Sequence, residues 1–177
     1  RYAQHGIGTE AQRVKESVVD GPGIRMVVFV QGCPHHCIGC HNPDTHDPAG
    51  GYESTTEEII AALPDGKLVS GVTLSGGEPF QQPEAVAIIA AAAKDKGLSV
   101  VTYTGYRFEK LLEVAEMNPA VGQLLQNTDI LVDGPYEQEK RDLSLAFRGS
   151  ANQRLIDVPA SLRDGAVKQW TDPAWSF

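Results

Sequence analysis

The sequence predicts an α/β fold, a partial (open) parallel β/α barrel formed by one domain. Three observations predict it. Two nearly continuous apolar runs, 24–30 and 69–74, are rich in β-branched residues, as strands buried on both faces are. Strand–loop–helix units recur along the chain, the pattern that right-handed crossovers between parallel strands produce. The residues suited to chemistry fall where those strands end, which is where such folds carry their active groups. With about five strands, the sheet is expected to stay open rather than close on itself.

The totals agree with one globular domain. The chain has 177 residues, of which 41% are hydrophobic and 21% charged, enough apolar side chain for a sizeable core. The net charge is −8 and no Lys/Arg-rich run occurs, so no nucleic-acid surface is expected. No apolar run reaches the length of a membrane span, so no membrane association is expected. The stretch 1–10 carries no apolar signal region, and a cytoplasmic location is expected.

In chain order, residues 1–13 are polar and read as an N-terminal arm, 14–162 as the domain, and 163–177 as a polar tail with Trp170 and Trp175. Residues 14–19 suit a short strand. The turn Asp20-Gly21-Pro22-Gly23 feeds the buried strand 24–30. A loop of more than 20 residues follows, with Pro34, Pro43 and Pro48 in it; loops of that length are uncommon unless functional. Ser54-Thr55-Thr56-Glu57 has capping-box spacing and should open a helix over 57–63. A second buried strand, 69–74, runs into the glycine-rich turn 75–79. Pro83 opens a strong helix over 84–96, closed by Gly97. A third strand, 98–103, precedes a helix over 107–117, a short helical piece at 121–126 and a fourth strand at 130–132. The charged segment 136–148 leads to a last strand at 154–158.

All three cysteines lie within eight residues, Cys33-Pro34-His35-His36-Cys37-Ile38-Gly39-Cys40, directly after the first buried strand. Reduced thiols spaced C-x3-C-x2-C read as a metal or redox site, and an odd count leaves one unpaired in any disulfide scheme. Iron–sulfur clusters take Cys thiolates, usually four. Three would leave one iron open to a substrate or cofactor. A structural zinc site with His36 or His41 as fourth ligand is the other reading, but such sites usually add a distant second ligand pair, absent here.

The cysteine spacing, followed by Gly76-Gly77-Glu78-Pro79 after the second strand, resembles the radical S-adenosylmethionine superfamily. Asp20-Gly21-Pro22-Gly23-Ile24-Arg25 and Cys40-His41-Asn42-Pro43 are similar to the glycyl-radical-enzyme activases. The segments Asp133-Gly134-Pro135-Tyr136, 143–150 and Asn152-Gln153-Arg154 look like those of activating proteins of anaerobic ribonucleoside-triphosphate reductase. The resemblance covers roughly residues 14–158. Activases of pyruvate formate-lyase are similar in the first half and are the alternative.

The resemblance implies that Cys33, Cys37 and Cys40 hold a 4Fe-4S cluster whose open iron is chelated by S-adenosyl-L-methionine. One-electron reduction then breaks a C–S bond, giving methionine and a 5′-deoxyadenosyl radical. That radical takes a Cα hydrogen from a glycine of the partner, the glycyl radical subunit of anaerobic ribonucleotide reductase. An external donor such as a flavodoxin is implied, because no cysteines remain for a second cluster. Gly76, Gly77, Glu78 and Pro79 are expected to receive the cofactor's methionyl ammonium, through backbone carbonyls and the Glu78 side chain. By position, Thr73, Ser75, Thr102, Tyr103, Thr104 and Asp133 are further cofactor-binding candidates. Many superfamily members carry an aromatic residue just before the third cysteine, where this chain has Gly39. His35, His36, His41 and His46 crowd the cluster loop and could adjust the cluster by hydrogen bonds. Asp20, Gly21 and Arg25 lie at the far end of the first strand and read as a structural turn. Residues 148–154 are expected to help admit or orient the partner's glycyl loop.

Overall fold

The computed structural model describes residues 14–17, 19–51 and 53–171. The expected arm at 1–13 and Trp175 lie outside the described residues.

Six strands form one sheet in sequential order. They are β1 (Val14–Ser17), β2 (Arg25–Val30), β3 (Gly71–Gly76), β4 (Ser99–Tyr103), β5 (Ile130–Asp133) and β6 (Arg154–Asp157). Neighbours β2 to β5 pair in parallel, with Val28 level with Leu74 and Leu74 level with Thr102. The two edge strands run antiparallel to their neighbours. No pairing joins β1 to β6, so the barrel is open, as the sequence predicts. No helix among the described residues is long and apolar enough to cross a membrane.

Among the described residues, four helices fill the crossovers, α1 (Thr56–Ala61), α2 (Pro83–Asp95), α3 (Phe108–Met117) and α4 (Pro119–Gln126), and a fifth, α5 (Val158–Asp164), follows the last strand. Helix α5 falls where the sequence suggested only a strand end and a polar tail. The side chain of Asp157, the last residue of β6, caps α5 by accepting from the Ala160 amide, and Gly165 ends it in the left-handed region. The capping box of α1 is shifted one residue from the expected frame. Thr55 is the N-cap and Glu58 the reciprocal partner, while Ser54 donates to Glu58 from outside.

Strand alternation sorts the two faces of the sheet. Met26, Val28, Val30, Val72, Leu74, Val100, Leu131 and Ile156 point outward and join Ile59, Ile89, Phe108 and Leu124 of the helices in the main core. The other parity faces the open interior, where Val101, Ile130 and Val132 form a second cluster with Tyr103, Leu155 and Trp170.

The base of the interior is closed by a charge. Arg25 is fully buried, and its guanidinium donates to Thr73 Oγ1, Ser99 Oγ and the carbonyls of Pro22, Val72 and Ser99. Burial pulls its pKa down to about 10, while Asp129, Tyr103 and Asp20 oppose that shift. Gly71, level with Arg25 across the strand pair, leaves the room; any Cβ there would run into the guanidinium. Arg25 and Thr73 also draw the 20–23 turn beneath the interior, since Thr73 Oγ1 donates to the Asp20 carbonyl at 2.6 Å.

Candidate functional site

A cavity of about 690 Å³ opens at the C-terminal ends of the parallel strands, within the size range of small-molecule sites, roughly 300–1,000 Å³. Cys33, Cys37 and Cys40 all line it and all are partly exposed, free thiols. Burial pushes the Cys33 thiol up, with Glu78 and the other two cysteines adding and a backbone hydrogen bond from His35 opposing. A cation or cluster at this point would reverse that penalty, because it stabilises thiolates. Among the described residues, no three His, Cys, Asp or Glu side chains form a ready-made site for a single metal ion. Thiolates around a cube of iron and sulfide stand farther apart than thiolates around one ion, where Zn–S is about 2.3 Å.

The loop that carries the thiols is tied down at several points. The amides of Gly32 and Cys33 donate to the carbonyls of Thr45 and His46, and Gln31 bonds the carbonyls of Asp44 and Asp47. His35 reaches across to the next strand end, with Nε2 at 2.8 Å from Glu78 Oε2 and its ring edge-on to Tyr106. Gly39 has φ +73, and a Cβ there would meet the Gln138 carboxamide at 3.0 Å. A side chain here would be strained by the backbone and would have to push the Gln138 side chain aside, so glycine suits the position.

The glycine-rich turn forms the adjoining wall. Gly76 has φ +96, and an added Cβ would stand 2.6 Å from the Val30 nitrogen. Gly77 presses against the Gly32 carbonyl in the same way. Close packing of neighbouring backbone thus requires both glycines, and both also line the cavity, where their backbone is available to a ligand. The buried Nε2 of His46 lines the same space and has no hydrogen-bond partner in the structure. Three thiols, two bare glycines and one unpartnered ring nitrogen fit a bound cluster with a polar cofactor beside it.

The expected cofactor residues divide into two groups. Ser75, Gly76, Gly77, Tyr103 and Thr104 line the cavity. Thr73, Glu78, Pro79, Thr102 and Asp133 do not, and each has another task. Thr73 holds Arg25 and Asp20 at the base. Thr102 has the parity of the outer face and bonds Thr128 at 2.9 Å. Asp133, also of outer parity, is fully buried, accepts from the Phe108 amide and pairs with Arg154. Pro79 is buried in a 3-10 turn behind the glycines. Glu78 is the most informative of these. Its carboxylate is wholly buried and already accepts from Thr104 Oγ1 and the Gly105 and Phe80 amides, besides pairing with His35. It acts here as the knot that fastens three strand ends together, leaving the backbone of 75–77 as the surface offered to a ligand.

Sequence reasoning missed several lining residues. Phe29 belongs to the inner parity, a signal that alternation alone could have supplied, whereas Tyr103, a strand-end candidate in the sequence, does line the cavity. Asp20 was placed at the far end of β2, yet it lines the cavity because Arg25 and Thr73 draw its turn beneath the sheet. The loop 143–149 overlaps the charged segment 136–148 and the segment 148–154 expected to orient the partner's glycyl loop. It forms a cavity wall through Leu143, Leu145, Ala146, Phe147, Arg148 and Gly149. That wall is held by Tyr103, whose hydroxyl donates to the Phe147 carbonyl at 2.6 Å, and by the Phe147 ring against Trp170. Gln153 clasps its end, accepting from the amides of Gly149 and Ser150 and donating to the Gly134 carbonyl.

Comparison with known proteins agrees with this geometry. Residues 19–156 match the 4Fe-4S single cluster domain family. The anaerobic ribonucleoside-triphosphate reductase-activating protein of Vibrio cholerae is 38% identical over 144 residues, covering 77% of this chain and 89% of that protein. Its Escherichia coli K12 counterpart is 35% identical, covering 77% and 90%. The pyruvate formate-lyase-activating enzyme of Clostridium pasteurianum is 44% identical over 160 residues, covering 86% of this chain and 62% of that enzyme.

Proposed function

This chain belongs to the 4Fe-4S single cluster domain family and is a glycyl-radical-enzyme activating protein of the radical S-adenosylmethionine superfamily; from that premise we propose that it activates an anaerobic ribonucleoside-triphosphate reductase. The observation that carries the reading is one cavity onto which the three thiols, the Gly76–Gly77 turn and the 143–149 loop all open. The reductase activators are matched over nine-tenths of their length, which favours that partner.

When bound, the cluster and S-adenosylmethionine supply the radical that removes a hydrogen atom from a glycine Cα. The chain's own residues do the rest. Cys33, Cys37 and Cys40 give three thiolate ligands and leave one iron open. The bare backbone of Gly76 and Gly77, with Ser75 and Thr104 beside it, receives the polar end of the cofactor. Glu78 and His35 keep the thiol loop and this turn at a fixed separation, so that cluster and cofactor meet in register. Phe29, Tyr103 and the 143–149 wall keep the interior largely apolar and limit water around the reactive carbon. The substrate is a polypeptide segment, which an open barrel can admit from the side. Electrons come from a separate flavodoxin-like protein, and the setting is the anaerobic cytoplasm.

The test is anaerobic reconstitution with iron and sulfide, followed by dithionite, S-adenosylmethionine and the reductase. The expected result is 5′-deoxyadenosine together with a glycyl electron-spin signal on the reductase. No 5′-deoxyadenosine would overturn the reading. The 44% identity to a pyruvate formate-lyase activase supports one alternative partner. A parallel reaction with that lyase decides between them, since only the true partner should acquire the signal.

A further inference from the structure

The 143–149 wall carries a feature the proposed chemistry does not yet use. Arg148 lines the cavity, and its Nε is buried without a hydrogen-bond partner. The one bond of its guanidinium is a long one, from Nη1 to the Gln153 carbonyl at 3.4 Å. A buried guanidinium N–H left unpaired is costly, and such groups are normally satisfied. Gln153 is spent internally, clasping Gly149, Ser150 and Gly134, while Asn152 Nδ2 donates to the Pro135 carbonyl and leaves Oδ1 buried without a partner among the described residues. Arg148, half-buried in the cavity wall, is the cation of this segment with guanidinium donors to spare.

The segment around it is built to present that side chain. Phe147 adopts a left-handed conformation, φ 59, which is strained for a non-glycine residue and persists only where the surroundings enforce it. Tyr103 does so by bonding the Phe147 carbonyl; burial raises its pKa, so it stays a phenol donor at neutral pH. Two of the large apolar side chains left in solvent, Leu143 at 77% exposure and Val19 at 70%, rim the same cavity. A free cation donor behind an apolar rim suits an extended peptide, whose main-chain carbonyls need donors and whose side chains need apolar contact.

Resting on the reductase reading above, we propose that Arg148 is a substrate-binding residue that grips a main-chain carbonyl of the partner's glycine-bearing segment, with Leu143 as the apolar lip over which that segment enters. The occupant is the partner polypeptide rather than the cofactor. The loop is fastened by Tyr103, Gln153 and Trp170, whereas the thiol loop and glycine turn are knotted to each other through His35 and Glu78.

The experiment measures, under anaerobic conditions, the affinity of the reconstituted protein for the reductase and for S-adenosylmethionine, in wild type, Arg148→Ala, Arg148→Lys and Leu143→Glu. Leu143 is exposed, so its substitution tests the lip without threatening the fold. Arg148→Ala is expected to weaken reductase binding by about tenfold or more, since a hydrogen bond to a charged group exceeds the ~1.4 kcal/mol of a factor of ten, and Leu143→Glu is expected to weaken it as well by putting a charge on the apolar lip. Arg148→Lys should recover part of the loss. Reductase affinity unchanged in both Arg148→Ala and Leu143→Glu would overturn the proposal. So would a loss of S-adenosylmethionine affinity in Arg148→Ala with reductase binding intact. If wild type instead binds pyruvate formate-lyase, the choice of reductase fails, and the same variants read against the lyase decide the role of Arg148.

Discussion

His35 Nε2 stands 2.8 Å from Glu78 Oε2, so one side chain of the thiol loop closes on the carboxylate that organises the glycine turn. Glu78 is buried and takes three further bonds from Thr104, Gly105 and Phe80. The thiols and the ligand-facing backbone are therefore held at one separation before any ligand arrives. Replacing His35 with Ala should release the thiol loop. Losing a hydrogen bond to a buried charge costs about 1.5–3 kcal/mol. For a domain of this size that lowers Tm by several degrees, about 2–4 °C per kcal/mol. Thermal melting of the iron-free protein, with iron and sulfide counts after reconstitution, checks both consequences; an unchanged Tm and full cluster content would refute the tie.

Gly76 should tolerate no side chain. Its φ of +96 costs a non-glycine residue about 1–3 kcal/mol, and the Cβ would sit 2.6–2.8 Å from the β2 backbone at Val30 and Phe29. Gly76→Ala is expected to destabilise the fold and to prevent cluster incorporation. Chemical denaturation reads the first effect and the visible absorption of the reconstituted protein the second.

Thr102 and Thr104 sit two residues apart and should behave differently. Thr102 faces Thr128 behind the sheet, while Thr104 lines the cavity and bonds Glu78. Thr102→Val should lower stability by about 0.5–1.5 kcal/mol through the loss of one buried hydrogen bond, since the Thr128 hydroxyl keeps its bond to the Leu124 carbonyl, and leave S-adenosylmethionine affinity at the wild-type level. Thr104→Val should weaken that affinity. Calorimetric titration with S-adenosylmethionine separates the two.

Arg154 gives the fold an acid-sensitive contact. It donates through Nη1 and Nη2 to Glu109 at 3.0 and 2.8 Å and also pairs with buried Asp133, joining α3, β5 and β6. The bond to Arg154 holds Glu109 down at about 2, against an ordinary value of 4.5. A depressed carboxylate pKa stabilises the fold above the unfolded value and loses that contribution as protons bind. The Glu109 contribution should thus be complete above pH ~4.5 and fade as pH falls toward 2. Glu109→Gln should flatten that part of the Tm–pH curve. Glu109 is half exposed, so the effect is modest and shrinks in high salt.

Much of the fold could be read from residue order because each strand and helix carries its own pattern. The runs at 24–30 and 69–74 became β2 and β3, and Pro83 with Gly97 bracketed α2. The reading failed where the deciding partner lies far away in sequence. Helix α5 follows from a cap at Asp157 that only matters once β6 ends there. Asp20 became a cavity residue because Arg25, a buried cation, recruits the carbonyl of Pro22 beneath the sheet while Thr73 holds that of Asp20. Gly39 takes a left-handed conformation with the Gln138 side chain, nearly a hundred residues on, against the place of its missing Cβ, and neither fact is visible in the local sequence.

The sequence by itself determined the chemistry of this protein. Cys33, Cys37 and Cys40 on a loop after a buried strand, and Gly76-Gly77 after the next, are local patterns whose meaning does not depend on the rest of the chain. Tertiary structure decided which neighbouring residues serve that chemistry. Strand parity sent Thr102 and Asp133 to the helix side and Tyr103 to the interior, and a one-residue offset is enough to make that choice. It turned Glu78 inward, because its carboxylate finds His35, Thr104 and the Gly105 amide only when three strand ends converge. It also made the 143–149 loop a wall, because the inner sheet face has no helix to cover it and Phe147 with Trp170 takes that place.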